Sequence, residues 1–432
     1  VIRAPTYNGL LDDNHSSRIN NRNQMIKMLM DQRKKLLDKG VVMDNPDSVF
    51  IDSSVDTERI SGNNVVIYPG CRITGENTLI MDGARIGAEA PVTADNCYIG
   101  PDVQLKGGFF QKAVFAGGNS FGSGAHVREG TILEEQASAA HTVGLKQTVL
   151  FPFVTLGSLI NFCDCFMAGG TDRKNHSEVG SSFIHFNFTP NQDKATPSMM
   201  GNVHQGVLLD RNPIFLGGQG GIVGPCRIAF GCVTAAGSII RKDEPNPDRL
   251  LLGGSARNAS FKKPPMVYKN VNRIFNHNCS YIAALCALLA WYTNIRSLFA
   301  GSRLEKELHS GMVHTLKGCI TERIKRLEGF VEKLEDSRNR LLEKGQSGAD
   351  RTVAHHEAIL NSFEEKKRIM QEARSGSFSS RLSVEDLKPV QAAAQNGQSY
   401  VQTIKGLDDP VKETIRNRLY SIETKILEQI RI

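Results

Sequence analysis

Two cations in the middle of the chain are spaced in a way that suits the binding of a phosphate group. These are Arg128 in "HVREG" and Lys146 in "GLKQT". In a chain that repeats in hexads, their spacing is one full turn of three hexads, which would stack both cations on one face of adjacent coils. Two cations presented together suit a phosphate, which accepts charge-assisted hydrogen bonds. The alternative interpretation is two unrelated surface charges.

Six-residue repeats are the elements that must position this pair. Branched apolar residues recur every six or seven positions. A helix has a period of about 3.6 residues and a strand a period of about 2, so this spacing indicates a solenoid. Glycine and small residues follow the aliphatic positions, as in "IGAEAP" and "IVGPCR", because the turns need tight or left-handed backbone. We therefore predict a β-solenoid whose stacked coils bury each other's aliphatic residues. The recurring positions are Ile67, Ile73, Leu79, Ile86, Val92, Ile99, Leu105, Ile222, Ile228, Thr234 and Ile240.

Helical segments flank the repeat. An amphipathic helix is predicted over residues 15–40, with Gly40 as its C-cap residue. Glycine becomes sparse after about residue 255, and long helical patterns follow. We therefore predict an N-terminal helix and linker (1–48), a β-helix (49–257) and a helical domain (258–432).

The helical domain contains a pattern that is typical of a coiled coil. Its apolar residues follow a 4-3-4-3-7 spacing, and a second apolar pattern over 353–370 predicts an antiparallel helical hairpin. Further helices are predicted from about 383 to 395 and from 409 to 431. The coiled-coil positions are Ile320, Ile324, Leu327, Val331, Leu334 and Leu341.

Charge and hydropathy argue against several classes of protein. The 432-residue chain has a net charge of +7, but acidic residues are interleaved with the basic ones, which favours a solvated surface over a nucleic-acid-binding stripe. The longest apolar run, residues 281–292, is shorter than the roughly 20 residues that span a bilayer. It predicts a buried or oligomer-facing helix, and no membrane span is expected. The N-terminus lacks the charged-then-apolar pattern of a signal segment.

The cysteines and histidines do not predict a metal site. Nine cysteines lie mostly in apolar contexts without a paired framework, which favours small core residues in a reduced, cytoplasmic protein. Cys163 and Cys165 form a CxC motif without a second cysteine or histidine pair at a matching spacing. The histidines at 126, 141, 176, 185 and 204 also lack the spacing of the zinc sites found on some β-helices.

From about residue 37 to 243 the chain resembles a known family. The segments "KGVVMDNPDSVFID" and "IFLGGQGGIVGPCRIAFGCVTAAGSIIRKD" resemble the entry and the closing coils of the acetyltransferase half of the bacterial bifunctional N-acetylglucosamine-1-phosphate uridyltransferase/glucosamine-1-phosphate acetyltransferase. The resemblance implies a left-handed parallel β-helix of hexapeptide repeats and a homotrimer. The family's nucleotidyltransferase domain, with its Gly-rich "GxGTRM"-like loop, is not found in the sequence, so uridyl transfer is not expected.

The resemblance implies a set of substrate-binding residues. Arg128 and Lys146 occupy the positions of the family's phosphate-binding arginine and lysine, and Asn187 in "FNFTP" matches its asparagine. Phe188 replaces a tyrosine and loses a hydroxyl group. Asn161, in "LGSLIN", is the remaining substrate-binding candidate.

The largest departure from the family lies at the general base. Ser158 stands two hexads beyond Lys146, where the family has a histidine, and a serine cannot accept an amine proton near neutral pH without another base beside it. Two histidines are candidate substitutes. His176 lies in extra residues, "GGTDRKNHSE", that could form a loop reaching the site, and His185 precedes Asn187 by two positions. The alternatives are a surface loop for His176 and strand packing for His185.

The acyl-donor site is expected along the last coils. In the resembling enzymes acetyl-CoA contacts mostly backbone there, which corresponds to Gly218, Ala235 and Ala236 in this chain, with Arg241 as a pyrophosphate partner.

Three functions follow from these observations. The first is an acyltransferase that acts on an amino-sugar phosphate or a UDP-N-acetylglucosamine-type sugar nucleotide with acetyl-CoA or another acyl-CoA. The second is a sugar-nucleotide-binding protein that has lost catalysis. The third is a trimeric scaffold whose helical domain recruits a protein partner.

Overall fold

The computed structural model describes residues 30–188, 191, 193–254, 259, 260, 267–343, 349–378 and 384–432. The described residues between 50 and 251 contain 28 short strands. The first coils contain β1 (Phe50–Ile51), β2 (Val66–Ile67), β3 (Arg72–Thr74), β4 (Leu79–Ile80), β5 (Arg85–Ile86), β6 (Val92–Asp95), β7 (Tyr98–Ile99), β8 (Gln104–Leu105), β9 (Gly108–Gln111), β10 (Ala113–Phe115) and β11 (Ser120–Phe121). The middle coils contain β12 (Ala125–Val127), β13 (Thr131–Leu133), β14 (Ser138–Ala139), β15 (Val143–Leu150), β16 (Thr155–Leu156) and β17 (Ile160–Met167). The last contain β18 (Gly170–Asp172), β19 (Asn175–His176), β20 (Glu178–Val179), β21 (Ile184–Phe186), β22 (Ser198–Met200), β23 (Phe215–Leu216), β24 (Gly221–Val223), β25 (Arg227–Ile228), β26 (Val233–Thr234), β27 (Ile239–Ile240) and β28 (Leu250–Leu251).

All of these strands except the hairpin β18–β19 stack in parallel, so the predicted parallel β-helix is confirmed. Its coils have three faces. Face 1 holds β1, β3, β6, β9, β12, the first halves of β15 and β17, and then β21, β24 and β27. Face 2 holds β4, β7, β10, β13, the second halves of β15 and β17, and then β22 and β25. Face 3 holds β2, β5, β8, β11, β14, β16, β20, β23, β26 and β28. We name each corner by the faces that it joins, in chain order.

The register of the middle coils agrees with the predicted repeat. Phe109 pairs with His126, His126 with Gly144, and Gly144 with Asn161, so each of these coils spans three hexads or one position fewer. All eleven residues of the predicted aliphatic ladder are buried. At one turn, Gly83 has φ +73°, and a Cβ there would lie 2.2 Å from Asp102 Oδ1, so a side chain does not fit.

Helices lie on both sides of the β-helix in sequence. Residues 30–38 form α1, and the predicted C-cap is confirmed, because Gly40 has φ 102° and the N–H groups of Gly40 and Val41 donate to Leu37 and Leu36 carbonyls. The rest of the predicted helix before residue 30 lies outside the described residues. A short helix, α2 (Val203–Gly206), interrupts the late coils. The remaining helices are α3 (Val271–Asn294), α4 (Arg303–Val331), α5 (Leu334–Glu343), α6 (Ala349–Ser375), α7 (Val384–Gln395), α8 (Tyr400–Gly406) and α9 (Asp409–Ile430).

The helical region packs against face 2. Helix α4 contacts β4, β7, β10 and β13, and α3 contacts β22. The six coiled-coil positions are buried in α4 and α5, which pack on α3, α6 and face 2, so packing within one chain accounts for that pattern. The hairpin of α4–α5 with α6 is antiparallel, since Ser337 contacts His356 and, further along, Arg374 donates to the carbonyl of Lys317.

The most apolar helix is a core element of this region. By length and composition alone, Val271–Phe299 could cross a membrane, but 72% of its apolar window is buried inside the fold. Residues 281–292, the apolar run of the sequence, are all buried. This burial is what a core helix requires.

Buried charges join the two regions at the 2/3 corner. Arg296 contacts Glu134 (Nη1 to Oε2, 3.2 Å) and also Glu135, and the hydroxyl of Tyr292 donates to Glu134 at 2.7 Å. Burial raises the pKa of Glu134 to about 7, against the opposing effects of the Arg296 charge and of the Tyr292 hydrogen bond. Glu134 therefore keeps its proton to a higher pH than an ordinary glutamate does.

We expect Glu134→Gln to remove a pH dependence of folding stability. The folded pKa of about 7 lies above the ordinary 4.5, so the folded protein binds more protons than the unfolded chain between these values, and stability falls as pH rises through this window. The variant should be more stable than the wild type at pH 8, by an amount on the order of 3 kcal/mol, and similar to it near pH 4.5. Urea unfolding at both pH values measures this. Glu135→Gln is the control and should destabilise the protein, because it weakens the contact with Arg296. If the free energy of unfolding of Glu134→Gln changed with pH as it does in the wild type, the raised pKa of Glu134 would be contradicted.

Candidate functional site

The outer surface of face 1 brings three of the predicted substrate-binding residues together. The register places Gly144 between His126 on the preceding coil and Asn161 on the following one. Two positions further along each strand, Arg128 follows β12 and Lys146 pairs with Cys163. Coils stack about 4.8 Å apart and alternate residues are about 7 Å apart, so these side chains surround Gly144 at short range. Because Gly144 has no side chain, it leaves a shallow space at the centre of this group.

The two cations differ in their surroundings. Arg128 is exposed and interacts with the Cys163 thiol two coils away. Lys146 is half-buried, and its Nζ lies 2.6 Å from Glu129 Oε1. Burial alone would raise the pKa of Glu129, but the hydrogen bond and the charge of Lys146 outweigh it and hold this pKa below its ordinary value. The spacing of one coil between the cations is confirmed, whereas their binding of a phosphate stays a prediction.

A histidine lies beside Ser158, and sequence reasoning did not find it as a catalytic candidate. His141 Nδ1 is 2.9 Å from Ser158 Oγ, and the backbone N–H of Ser158 donates to Ser181 Oγ at 3.1 Å. Both residues lie at the 3/1 corner, at the entrance to face 1. The available signal was their separation in the chain, which equals that of the paired residues Gly144 and Asn161.

The predicted acyl-donor residues continue along the same corner. Gly218 O accepts a hydrogen bond from the N–H of Gly237, and the register of β23 with β26 places Gly218 beside Ala236 and the preceding residue beside Ala235. Arg241 lies beyond β27, where its Nη1 donates to the carbonyls of Ile239 and Gly254 at 3.3 and 3.4 Å. The corner therefore runs from His141 and Ser158 through small residues to the last coil.

His176 lies elsewhere in this chain. The predicted extra loop is the hairpin β18–β19 at the 2/3 corner, where His176 Nε2 is 3.9 Å from Glu178 Oε2. Face 1 does not border this corner. Within one chain, His176 therefore does not lie near the Arg128 and Lys146 side chains as expected. Its position fits the alternative interpretation, a residue of a loop.

His185 lies inside the coil. It is 1% exposed, Nδ1 contacts the carbonyl of Cys163 at 2.5 Å, and Nε2 contacts Ser198 Oγ at 2.7 Å. Burial lowers the pKa of His185 and so favours the neutral ring. With both ring nitrogens engaged in the interior, His185 does not face the cations, and the strand-packing interpretation fits its position.

The residues after β21 lie at the 1/2 corner. Asn187 donates to Asp164 Oδ2, which belongs to a buried ion pair, and Phe188 is 61% exposed. The amide of Asn187 is thus already engaged in a contact with a neighbouring coil.

The described cysteines are all buried and unpaired, as the sequence predicted. Burial raises the pKa of the Cys163 thiol to about 11, which disfavours the thiolate. In the part of the chain that the structure describes, no group of three or more His, Cys, Asp or Glu side chains is placed to hold a metal ion.

Comparisons with known proteins add no family assignment, because no protein-family model matches the chain and no curated protein matches it significantly.

Proposed function

We propose that the outer surface of face 1 and the adjoining 3/1 corner transfer an acyl group from an acyl-CoA to the amine of a phosphorylated amino sugar, either a sugar phosphate or a nucleotide-linked sugar. The observation that carries the proposal is the contact between His141 and Ser158 on the edge of the surface that presents Arg128 and Lys146. A base and a phosphate-binding pair on one surface are what amine acylation of a phosphorylated acceptor requires.

The acceptor phosphate would lie against Arg128 and Lys146. Charge-assisted hydrogen bonds from both would hold it, with Lys146 shared between the phosphate and Glu129. Asn161 is exposed on the next coil and offers an amide to the sugar hydroxyls. The sugar would then cover Gly144, with its amine directed toward the 3/1 corner.

His141 would act as the general base. When Nδ1–H donates to Ser158 Oγ, the Nε2 atom carries the free electron pair, and Ser158 thus fixes the tautomer rather than acting as a base itself. As the amine nitrogen bonds to the acyl carbon, His141 Nε2 takes the amine proton. The carbon–sulfur bond breaks, and the thiolate of coenzyme A leaves with the electron pair and is protonated.

The donor would extend along the 3/1 corner. Ser181, Gly218, Ala235 and Ala236 have small side chains, so an extended chain could approach the backbone closely there. Arg241 at the last coil would contact the pyrophosphate. This arrangement places the thioester near His141 and the nucleotide end of coenzyme A near the end of the β-helix.

Acetyl-CoA turnover over a panel of amino sugars tests the proposal. We expect turnover with phosphorylated amino sugars and little with free glucosamine, because only the former engage Arg128 and Lys146. Arg128→Ala should raise KM roughly 10-fold or more, as the loss of a charge-assisted hydrogen bond implies. Arg72→Ala is the matched control, since Arg72 is an exposed arginine on face 1 several coils away.

No turnover with any acceptor, together with no binding of coenzyme A, would remove the acyltransferase proposal. Thermal stabilisation by UDP-N-acetylglucosamine without turnover would instead favour a protein that only binds a sugar nucleotide.

A further inference from the structure

A cleft opens directly beyond the two cations. It has a volume of about 700 Å³ and lies between the 1/2 corner and helix α4. Its lining includes Glu129 and Gln147, the residues that follow Arg128 and Lys146 in the chain. Since Lys146 Nζ is 2.6 Å from Glu129 Oε1, a phosphate bound by Lys146 would stand at the mouth of this cleft.

The walls of the cleft favour a neutral ligand with many hydrogen-bonding groups. Side-chain amides line the cleft at Asn77, Asn96 and Gln147, and hydroxyl groups line it at Thr315 and Thr321. The Asn77 amide donates to Asn96 Oδ1, and the Thr321 hydroxyl donates to the carbonyl of Lys317, so a ligand would share or replace these bonds. Amides present a donor beside an acceptor, which matches the edge of a nucleobase as well as ribose hydroxyls. Acidic and basic residues both line the cleft, so its charge is mixed. These charged residues are Glu76, Glu129, Glu322, Lys112 and Arg374.

Gln147 provides a separate observation that points to a ligand. It is 8% exposed, and its Oε1 is buried without a hydrogen-bond partner among the described residues, while its Nε2 donates to the carbonyl of Glu129. An unpaired buried acceptor costs free energy, and rotation of the Gln147 side chain toward a ligand donor in the cleft would recover it.

The order of features along face 1 matches the order of groups in a nucleotide-linked sugar. From the 3/1 corner they are His141, then Gly144, then Lys146, and then the cleft. Gly144 and Lys146 are about 7 Å apart along the strand, and the cleft begins at the next residue, Gln147. A sugar monophosphate would reach only from His141 to Lys146 and would leave a cleft of 700 Å³ unfilled.

We infer that the cleft binds the nucleoside of a nucleotide-linked amino sugar, whose diphosphate lies on Arg128 and Lys146. This inference rests on the proposed function only for the position of the sugar. The position of the nucleoside is argued from the cleft itself.

Two glycines of α4 provide a matched test. A Cβ added at Gly318, which lines the cleft, meets no atom within 4 Å, and the same holds at Gly329, which lies outside the cleft on the same helix. Gly318→Leu should therefore fold normally and fill part of the cleft, and Gly329→Leu should fold equally well and leave the cleft open. Calorimetric titration with UDP measures the affinity for the nucleotide part of the ligand, and titration with glucosamine 1-phosphate measures the affinity for the sugar-phosphate part.

We expect the wild type to bind UDP, Gly318→Leu to bind it at least 10-fold more weakly, and Gly329→Leu to bind it normally. Binding of glucosamine 1-phosphate should be the same in all three proteins. Equal UDP affinity in the two variants, no UDP binding to the wild type, or UDP binding that survives loss of both Arg128 and Lys146 would overturn the inference. UDP binding with the expected pattern but without acyl transfer would leave the cleft assignment standing and reject the proposed function.

Discussion

Replacement of His141 by alanine is expected to lower kcat/KM for acyl transfer by about 10²–10⁴-fold, the range that a positioned general base contributes. The imidazole of His141 is the proposed base and contacts Ser158 Oγ at 2.9 Å, and a serine alone cannot take the amine proton. KM for the phosphorylated acceptor should change much less, since Arg128 and Lys146 remain. Steady-state kinetics with acetyl-CoA and the best acceptor of the panel give both constants.

Three further variants separate the candidate bases. Ser158→Ala should retain part of the activity, because the histidine remains but its tautomer is less well fixed. His176→Ala should be unaffected, since His176 lies at the 2/3 corner, and His355→Ala, on α6, is the matched control far from face 1. If His176→Ala abolished turnover while His141→Ala retained it, the assignment of His141 as the base would be wrong, and the hairpin would have to reach a site on a second chain.

Replacement of Arg323 by leucine is expected to lower the free energy of unfolding by about 3–5 kcal/mol, the cost of leaving one partner of a buried ion pair alone. Arg323, on α4, is 1% exposed; its Nη2 lies 2.6 Å from Asp164 Oδ1, and its Nη1 donates to the carbonyl of Lys194. This ion pair joins the helical region to the β-helix. Equilibrium urea unfolding followed by circular dichroism measures the loss.

Two variants test whether the loss of stability comes from the Asp164 carboxylate that is left buried without a partner. Arg323→Leu combined with Asp164→Asn should be more stable than Arg323→Leu alone, because no uncompensated charge is then buried; asparagine tolerates the φ of 58° at this position. Arg326→Leu is the control on the same helix. Its ion pair with Glu322 is partly exposed, so its loss should cost less than about 1 kcal/mol. A double variant as unstable as the single one would contradict this explanation.

Much of the architecture could be predicted because its signals are periodic. The six-residue recurrence defines short strands and turns irrespective of what else packs on them, and every member of the predicted ladder is buried. Helices α7 and α9 lie where helices were predicted, since local apolar patterns and caps act within a few residues. The three-hexad spacing of Arg128 and Lys146 placed them on neighbouring coils for the same reason.

Contacts between coils and regions could not be predicted in this way. His141 contacts Ser158 only because the coil between them has the same length as the coil between Gly144 and Asn161, whereas the preceding coil, from His126 to Gly144, is one position longer. The orientation of the His185 side chain could not be predicted either. It points into the coil, whereas the neighbouring Ile184 and Phe186 lie on the outside. Sequence proximity to Asn187 carried no information about that direction.

By itself, the sequence determined the β-helix, the helices that follow it and the pairing of two cations, because each depends on local periodicity. The tertiary structure decided which corner each candidate occupies: His141 and Ser158 at the 3/1 corner, His176 at the 2/3 corner, and His185 in the interior. It also formed the cleft beside Lys146, which exists only because α4 packs against face 2. These features depend on how coil lengths close and on which face the helices cover, and both are set by packing across distant parts of the chain.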